Sequence, residues 1–162
     1  MTDGIYLLLG SNLGDKRDTL FQATRQIDAE IGKVMKCSSL YETEPWGNSS
    51  QPSFLNQVVL INCKLSPMQL LTALLEIEKR LGRIRYEKWG ERTLDIDILY
   101  YNNVIIDSDH LRIPHPEITN RRFTLVPLVE LAPDFIHPVL NKTNRLLLSL
   151  CKDNLKVNEV KT

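Results

Sequence analysis

Apolar and polar positions along the chain alternate between two periods. Residues 5–9 form a short continuous apolar run ending at Gly10, the pattern of a buried central strand, and Gly10-Ser11-Asn12-Leu13-Gly14 reads as a strand-to-helix turn. Leu20, Ala23, Ile27 and Ile31 then recur at helical spacing, with Asp15 placed to cap the helix and Gly32 to stop it. Two extended stretches, 34–41 and 54–65, flank a polar, proline-bearing loop over 44–53 and predict a hairpin with a long connection. Ser66-Pro67-Met68-Gln69 has the form of a capping box with proline at the first helical position, and Leu70, Leu71, Leu74, Ile77 and Leu81 carry one stripe to Gly82. A charged segment, 83–93, leads into 94–101, where Leu94, Ile96 and Ile98 alternate with Asp95 and Asp97 at the period of a strand. The proline-rich remainder is expected to hold short helices near 123–131 and 144–150.

This order, β-α-β-β-α-β with a C-terminal extension, predicts a ferredoxin-like α+β fold: an antiparallel sheet with helices on one face, the other face left to ligands. A length of 162 residues suits one domain, and a composition 43% hydrophobic and 25% charged suits a packed core rather than disorder. Twenty Lys and Arg balance twenty Asp and Glu, which argues against nucleic-acid or anionic-membrane partners and leaves any ligand to local charge. Three cysteines without metal-ligand spacing, and no apolar run long enough to span a bilayer, point to a reducing, cytoplasmic setting.

The sharpest local feature is Asp95-Ile96-Asp97. Alternate side chains of a strand share a face, so the two carboxylates stand together with Cα atoms about 7 Å apart, while Leu94, Ile96 and Ile98 enter the core. A solvated strand face would show the same pair. Aspartate is nevertheless a poor strand former, and two on one face repel unless a hard cation such as Mg2+ lies between them and takes its remaining ligands from water and phosphate. Immediately upstream, Arg83, Arg85, Lys88 and Arg92 concentrate positive charge, and arginine forks match phosphate oxygens. Cations beside carboxylates are the parts of metal-assisted phosphoryl transfer, yet no GxxxxGK[ST] loop and no kinase catalytic loop is present. His115 sits between two prolines, and Trp46, Phe54, Trp89 and Phe123 could each stack a planar ring or simply pack.

Gly10-Ser11-Asn12-Leu13-Gly14, Tyr41-x-Thr43-x-Pro45, Gln51-Pro52-x-Phe54-Leu55-Asn56, Arg83-Ile84-Arg85, the run from Trp89 through Arg92 to Asp97 and Ile98, Pro114-His115-Pro116 and Asn120-Arg121-x-Phe123 occur in one order. Together they resemble the 6-hydroxymethyl-7,8-dihydropterin pyrophosphokinases of folate biosynthesis, over about residues 5 to 135. The resemblance implies a single pyrophosphokinase domain over 1–162 that moves the β,γ-pyrophosphoryl group of ATP to the pterin hydroxymethyl oxygen and releases AMP. It implies Asp95 and Asp97 as ligands of two Mg2+ ions, and a catalytic set of Arg83, Arg92, Asp95 and Asp97. ATP would meet Glu78, Arg83, Arg85, Trp89, Arg92, Ile98, Arg112, His115 and Arg121, with Arg112 in a stretch where members differ. The pterin would meet Phe54 and Phe123 on its faces and Asn56, Thr43, Pro45 and Trp46 at its edge. The partners are small molecules, and the chain is expected as a monomer or weak dimer. Lys88 and Glu91 stand where the family often has Arg and Pro. A non-catalytic ferredoxin-like module, such as an RNA-recognition domain, is the competing class, but 54–65 lacks the aromatic segment that such a domain needs.

Overall fold

The computed structural model describes residues 1–44, 52–82 and 94–161. The elements run β1 (Ile5–Ser11), α1 (Lys16–Glu30), β2 (Gly32–Cys37), β3 (Leu40–Thr43), β4 (Phe54–Cys63), α2 (Pro67–Leu81), β5 (Asp95–Tyr101), β6 (Ile106–Asp107), β7 (Arg112–Ile113), a 3-10 turn (Ile118–Asn120), α3 (Arg122–Leu131), α4 (Asn144–Leu150) and β8 (Val157–Val160). The sheet order is β5-β1-β4-β3-β8, all antiparallel, with β2 paired to the other end of β4.

The helix signals behave as the sequence predicts. Asp15 accepts the Asp18 N–H at 3.1 Å, and Ser66 and Gln69 close both arms of the capping box at 3.2 and 2.9 Å, so each helix satisfies part of its exposed N-terminal donors. Leu20, Ala23 and Ile27 of α1 and Leu70, Leu74 and Ile77 of α2 are buried against one sheet face, meeting Ile5, Leu7 and Leu9, then Leu55, Val59 and Ile61, then Ile96 and Ile98. Two boundaries differ. The strand expected over 34–41 is cut at Ser38, whose hydroxyl accepts the Val58 N–H at 2.9 Å and whose own N–H reaches the Val58 carbonyl at 2.8 Å, so β2 and β3 pair with different halves of β4. Gly10 and Ser11 belong to β1 rather than to a turn.

The other sheet face is not uniformly open. α1 and α2 lie together as expected, but the C-terminal extension folds α3 and α4 over the opposite face, where Leu125, Leu128, Phe135 and Leu147 bury Tyr6, Leu8, Val58 and Tyr100. Among the described residues, one end of that face is left uncovered. β8, from a polar segment without a strand pattern, pairs with β3 and extends the edge.

Candidate active site

Strand register gathers the chemistry at the uncovered end. Asp95 lies opposite Gly10, Gly10 opposite Asn56, and Asn56 opposite Tyr41, one row across four strands; Asp97 lies opposite Leu8, and Thr43 opposite Phe54. These positions border a cleft of about 510 Å³, walled by Gly10, Thr43, Phe54 and Asn56 on the sheet, by Asp95 and Asp97 on β5, and by Asn120, Arg121 and Phe123 where α3 begins. The role of Gly10 is steric: a Cβ there would lie 2.8 Å from Asn56 Oδ1, so only glycine leaves the amide in place.

Among the described residues, two buried polar atoms of the pocket find no partner. Thr43 and Asn56 are buried, at 3% exposure each, and Thr43 Oγ1 and Asn56 Nδ2 have no hydrogen-bond partner among the described residues. A buried unpaired polar atom costs about 1–3 kcal/mol, so a ring with a hydrogen-bonding edge would relieve both. Phe54 and Phe123 supply apolar walls, and the Arg121 guanidinium carbon stands 5.6 Å from the Phe123 ring centre.

Asp95 and Asp97 emerge on the cleft side of β5 while Leu94, Ile96 and Ile98 are buried on the helix side, as the period-two reading requires. His115 Nε2 faces Asp97 Oδ2 at 3.9 Å, and its Nδ1 accepts the Glu117 N–H at 3.1 Å, which assigns the ring proton to Nε2. Burial lowers the His115 pKa; Asp97 opposes this, and Arg121 adds to it. The imidazole is therefore a neutral donor at neutral pH. Two carboxylates are the only hard anionic donors on β5, and among the described residues no group of three His, Cys, Asp or Glu could hold a metal. That donor set fits an ion such as Mg2+, which keeps water and takes substrate phosphate oxygens rather than filling an all-protein cage.

Four expected contacts do not line the cleft, one of them His115, which meets it only through Asp97. Glu78 is buried on α2, where its carboxylate accepts the Ile96 N–H at 2.6 Å, and Ile98 points into the helix-side core. Arg112 is exposed on the β6–β7 ribbon, 3.4 Å from Asp107. Pro45, Trp46, Arg83, Arg85, Trp89 and Arg92 lie outside the described residues. The structure adds Leu8, Gly10, Glu44, Glu117, Asn120 and Leu155 to the walls. Asn120 belonged to a motif that gave it no role; Leu155 had one signal, a lone leucine within Lys152-Asp153-Asn154-Leu155-Lys156.

Fold and site define a ferredoxin-like α+β domain whose open sheet end carries paired carboxylates beside an aromatic pocket. The family model described as 7,8-dihydro-6-hydroxymethylpterin-pyrophosphokinase matches residues 6–133, and the chain belongs to this family of folate-biosynthesis pyrophosphokinases. It is 43% identical over 141 residues to the 2-amino-4-hydroxy-6-hydroxymethyldihydropteridine pyrophosphokinase of Synechocystis sp., covering 86% of this chain and 72% of that protein. It is also 43% identical over 134 residues to the enzyme of the same name from Haemophilus influenzae, covering 82% and 84%. The wild-type HPPK-DHPS of Plasmodium falciparum superposes with a TM-score of 0.74 at 19% identity, over 93% of this chain and 43% of that one, a likeness of fold. No helix among the described residues is long and apolar enough to cross a membrane.

Proposed function

We propose that residues 1–162 act as one pyrophosphokinase domain that transfers the β,γ-pyrophosphoryl group of ATP to the hydroxymethyl oxygen of 6-hydroxymethyl-7,8-dihydropterin. The observation that carries this reading is one cleft in which β5 carboxylates adjoin two phenylalanines and two unsatisfied polar atoms. The pterin stacks on Phe54 and Phe123 and offers its hydrogen-bonding edge to Thr43 and Asn56, with Pro45 and Trp46 completing that edge by family resemblance. Asp95 and Asp97 would hold Mg2+, expected as two ions, which when bound would neutralise phosphate charge and orient the triphosphate.

The hydroxymethyl oxygen releases its proton to solvent and forms a bond to the β-phosphorus as the bond from that phosphorus to the α,β-bridging oxygen breaks, and AMP departs with the bridging oxygen. His115 donates from Nε2 beside Asp97, and Arg121 brings a guanidinium to the cleft wall; both meet phosphate oxygens as charge shifts onto the leaving group. Arg83, Arg85 and Arg92 join them by resemblance, with Trp89 lining the nucleotide site. The three free cysteines support a cytoplasmic setting, and a monomer or weak dimer serves this chemistry. The test is a reaction with ATP, Mg2+ and the pterin alcohol, followed by phosphorus NMR and AMP quantitation. Equal amounts of AMP and pterin pyrophosphate are expected; ADP, or AMP release indifferent to the pterin, would overturn the reading.

A further inference from the structure

Leu155 is the one cleft residue supplied by the C-terminal arm, which lies beyond the residues matched by the family model. Its neighbours in the chain are Asn154 and Lys156, yet its apolar side chain borders the same space as Phe54, Phe123, Thr43 and Asn56. Three anchors fix the arm. The first is Asp153, one carboxylate with two tasks: Oδ2 accepts the Arg122 N–H at 3.0 Å and Oδ1 accepts the Leu155 N–H at 3.0 Å. Arg121, at the cap position of α3, makes no side-chain cap of its own, so Asp153, 31 positions beyond Arg122, caps the helix turn that carries Phe123. The second is β8, where Val157 pairs with Thr43, two residues past Leu155. The third is Arg17, which donates to the Lys161 carbonyl at 3.2 Å.

We propose that Leu155 is a specificity-determining wall of the pterin pocket, held by Asp153 against Phe123 and by β8 against Thr43, and that it limits the size of ring substituents the enzyme accepts. This rests on the function proposed above. The arm thereby ties the two sides of the pocket together: a shift of Leu155 moves with the cap of α3 and with the strand that presents Thr43.

The experiment measures kcat and KM for the pterin alcohol, for a series of its ring-methylated analogues and for ATP, in wild type, Leu155→Ala, Leu155→Met and Asp153→Ala. Leu155→Ala should raise KM for the unsubstituted pterin about fivefold through lost apolar contact while KM for ATP moves less than about twofold. It should also raise the kcat/KM ratio of at least one methylated analogue to the parent by about tenfold, since a removed side chain admits the added carbon. Leu155→Met, nearly equal in volume, should restore the wild-type ratio, and Asp153→Ala should shift it in the same direction by less. Because both substrates are measured on one preparation, the ratio does not depend on how much of the variant is folded. A ratio unchanged across the whole series, or KM for pterin and ATP rising together, would make the arm scaffold only and overturn the proposal. A wild-type protein that releases no AMP with the pterin would instead overturn the proposed function.

Discussion

The sheet face opposite α1 and α2 has two ends built to opposite standards. At the closed end Tyr6, Tyr100 and Phe135 pack ring against ring, with centroids 4.3 to 6.3 Å apart, beside three polar side chains bonded within the protein. The Tyr100 hydroxyl donates to Asn144 Oδ1 at 2.8 Å, Asn144 Nδ2 donates to the Ala132 carbonyl at 2.9 Å, and His137 Nδ1 accepts from Val139 and Leu140. At the open end Thr43 Oγ1 and Asn56 Nδ2 are nearly as deeply buried and have no partner among the described residues. Asn144 and Asn56 make the contrast sharp: exposures of 0% and 3%, one amide completed by the protein and the other left for something else. Burial of a polar group serves stability where its bonds are closed and recognition where they are open.

The largest effect expected on that contrast is chemical. Asp97→Asn should lower kcat/KM at least about a hundredfold, on the order of 3 kcal/mol of transition-state stabilisation, with the thermal midpoint almost unmoved; steady-state kinetics and a melting curve on one sample decide it. Near-normal turnover would remove the metal-ligand role. Next, Asn144→Ala should cost about 2–3 kcal/mol in denaturant unfolding, because it strands the buried Tyr100 hydroxyl and leaves the Ala132 carbonyl with the Phe135 N–H alone, whereas Asn56→Ala should cost less than about 1 kcal/mol and weaken the pterin instead. Equal destabilisation by the two alanines would erase the distinction between the ends.

Phe123→Ala should weaken the pterin by about 1–3 kcal/mol and leave ATP nearly as tight, measured by separate calorimetric titrations. An equal loss for both ligands would make Phe123 a support of the fold. The smallest effect is a pH dependence at the closed end. Burial lowers the His137 pKa below its ordinary 6.5, so the folded state binds fewer protons than the unfolded chain. Its stabilising contribution is complete above that value and is lost as pH falls through 6.5 and then through the folded pKa. The thermal midpoint should drop between pH 7 and 5, and His137→Asn, whose side-chain oxygen can replace Nδ1 as acceptor without titrating, should flatten the slope. His115, lowered in the same direction, leaves a residual slope.

Local signals were readable where a few adjacent residues decide the outcome. The capping box at Ser66, the Asp15 cap and the shared face of Asp95 and Asp97 all depend on spacing alone, and each is in place. What the sequence hid depends on distant partners. Ser38 ends a strand because Val58 is there to take both its bonds; Gly10 is needed because Asn56, 46 residues away, lies over it; β8 exists because β3 has a free edge. The face thought open was half covered because the apolar residues of α3 and α4 have no periodic partner in sequence, only Tyr6, Val58 and Tyr100 in space. Arg112, expected at phosphate only by resemblance and in a stretch where members differ, sits on a two-stranded ribbon beside Asp107.

β5 contains one residue more than its partner requires. Leu7 pairs with Ile98 and Tyr6 with Tyr100, so Leu99 has no opposite number in β1, and its carbonyl accepts the His115 N–H at 3.0 Å. The strand therefore changes phase midway: odd residues face the cleft before Leu99, and an even one, Tyr100, enters the aromatic cluster after it. In an unbroken strand residues 95 and 100 would lie on opposite sides, and no substitution of side chains could correct both. The extra residue separates the two halves, so the reacting end and the packed end can each drift in sequence under their own selection without a common reading frame.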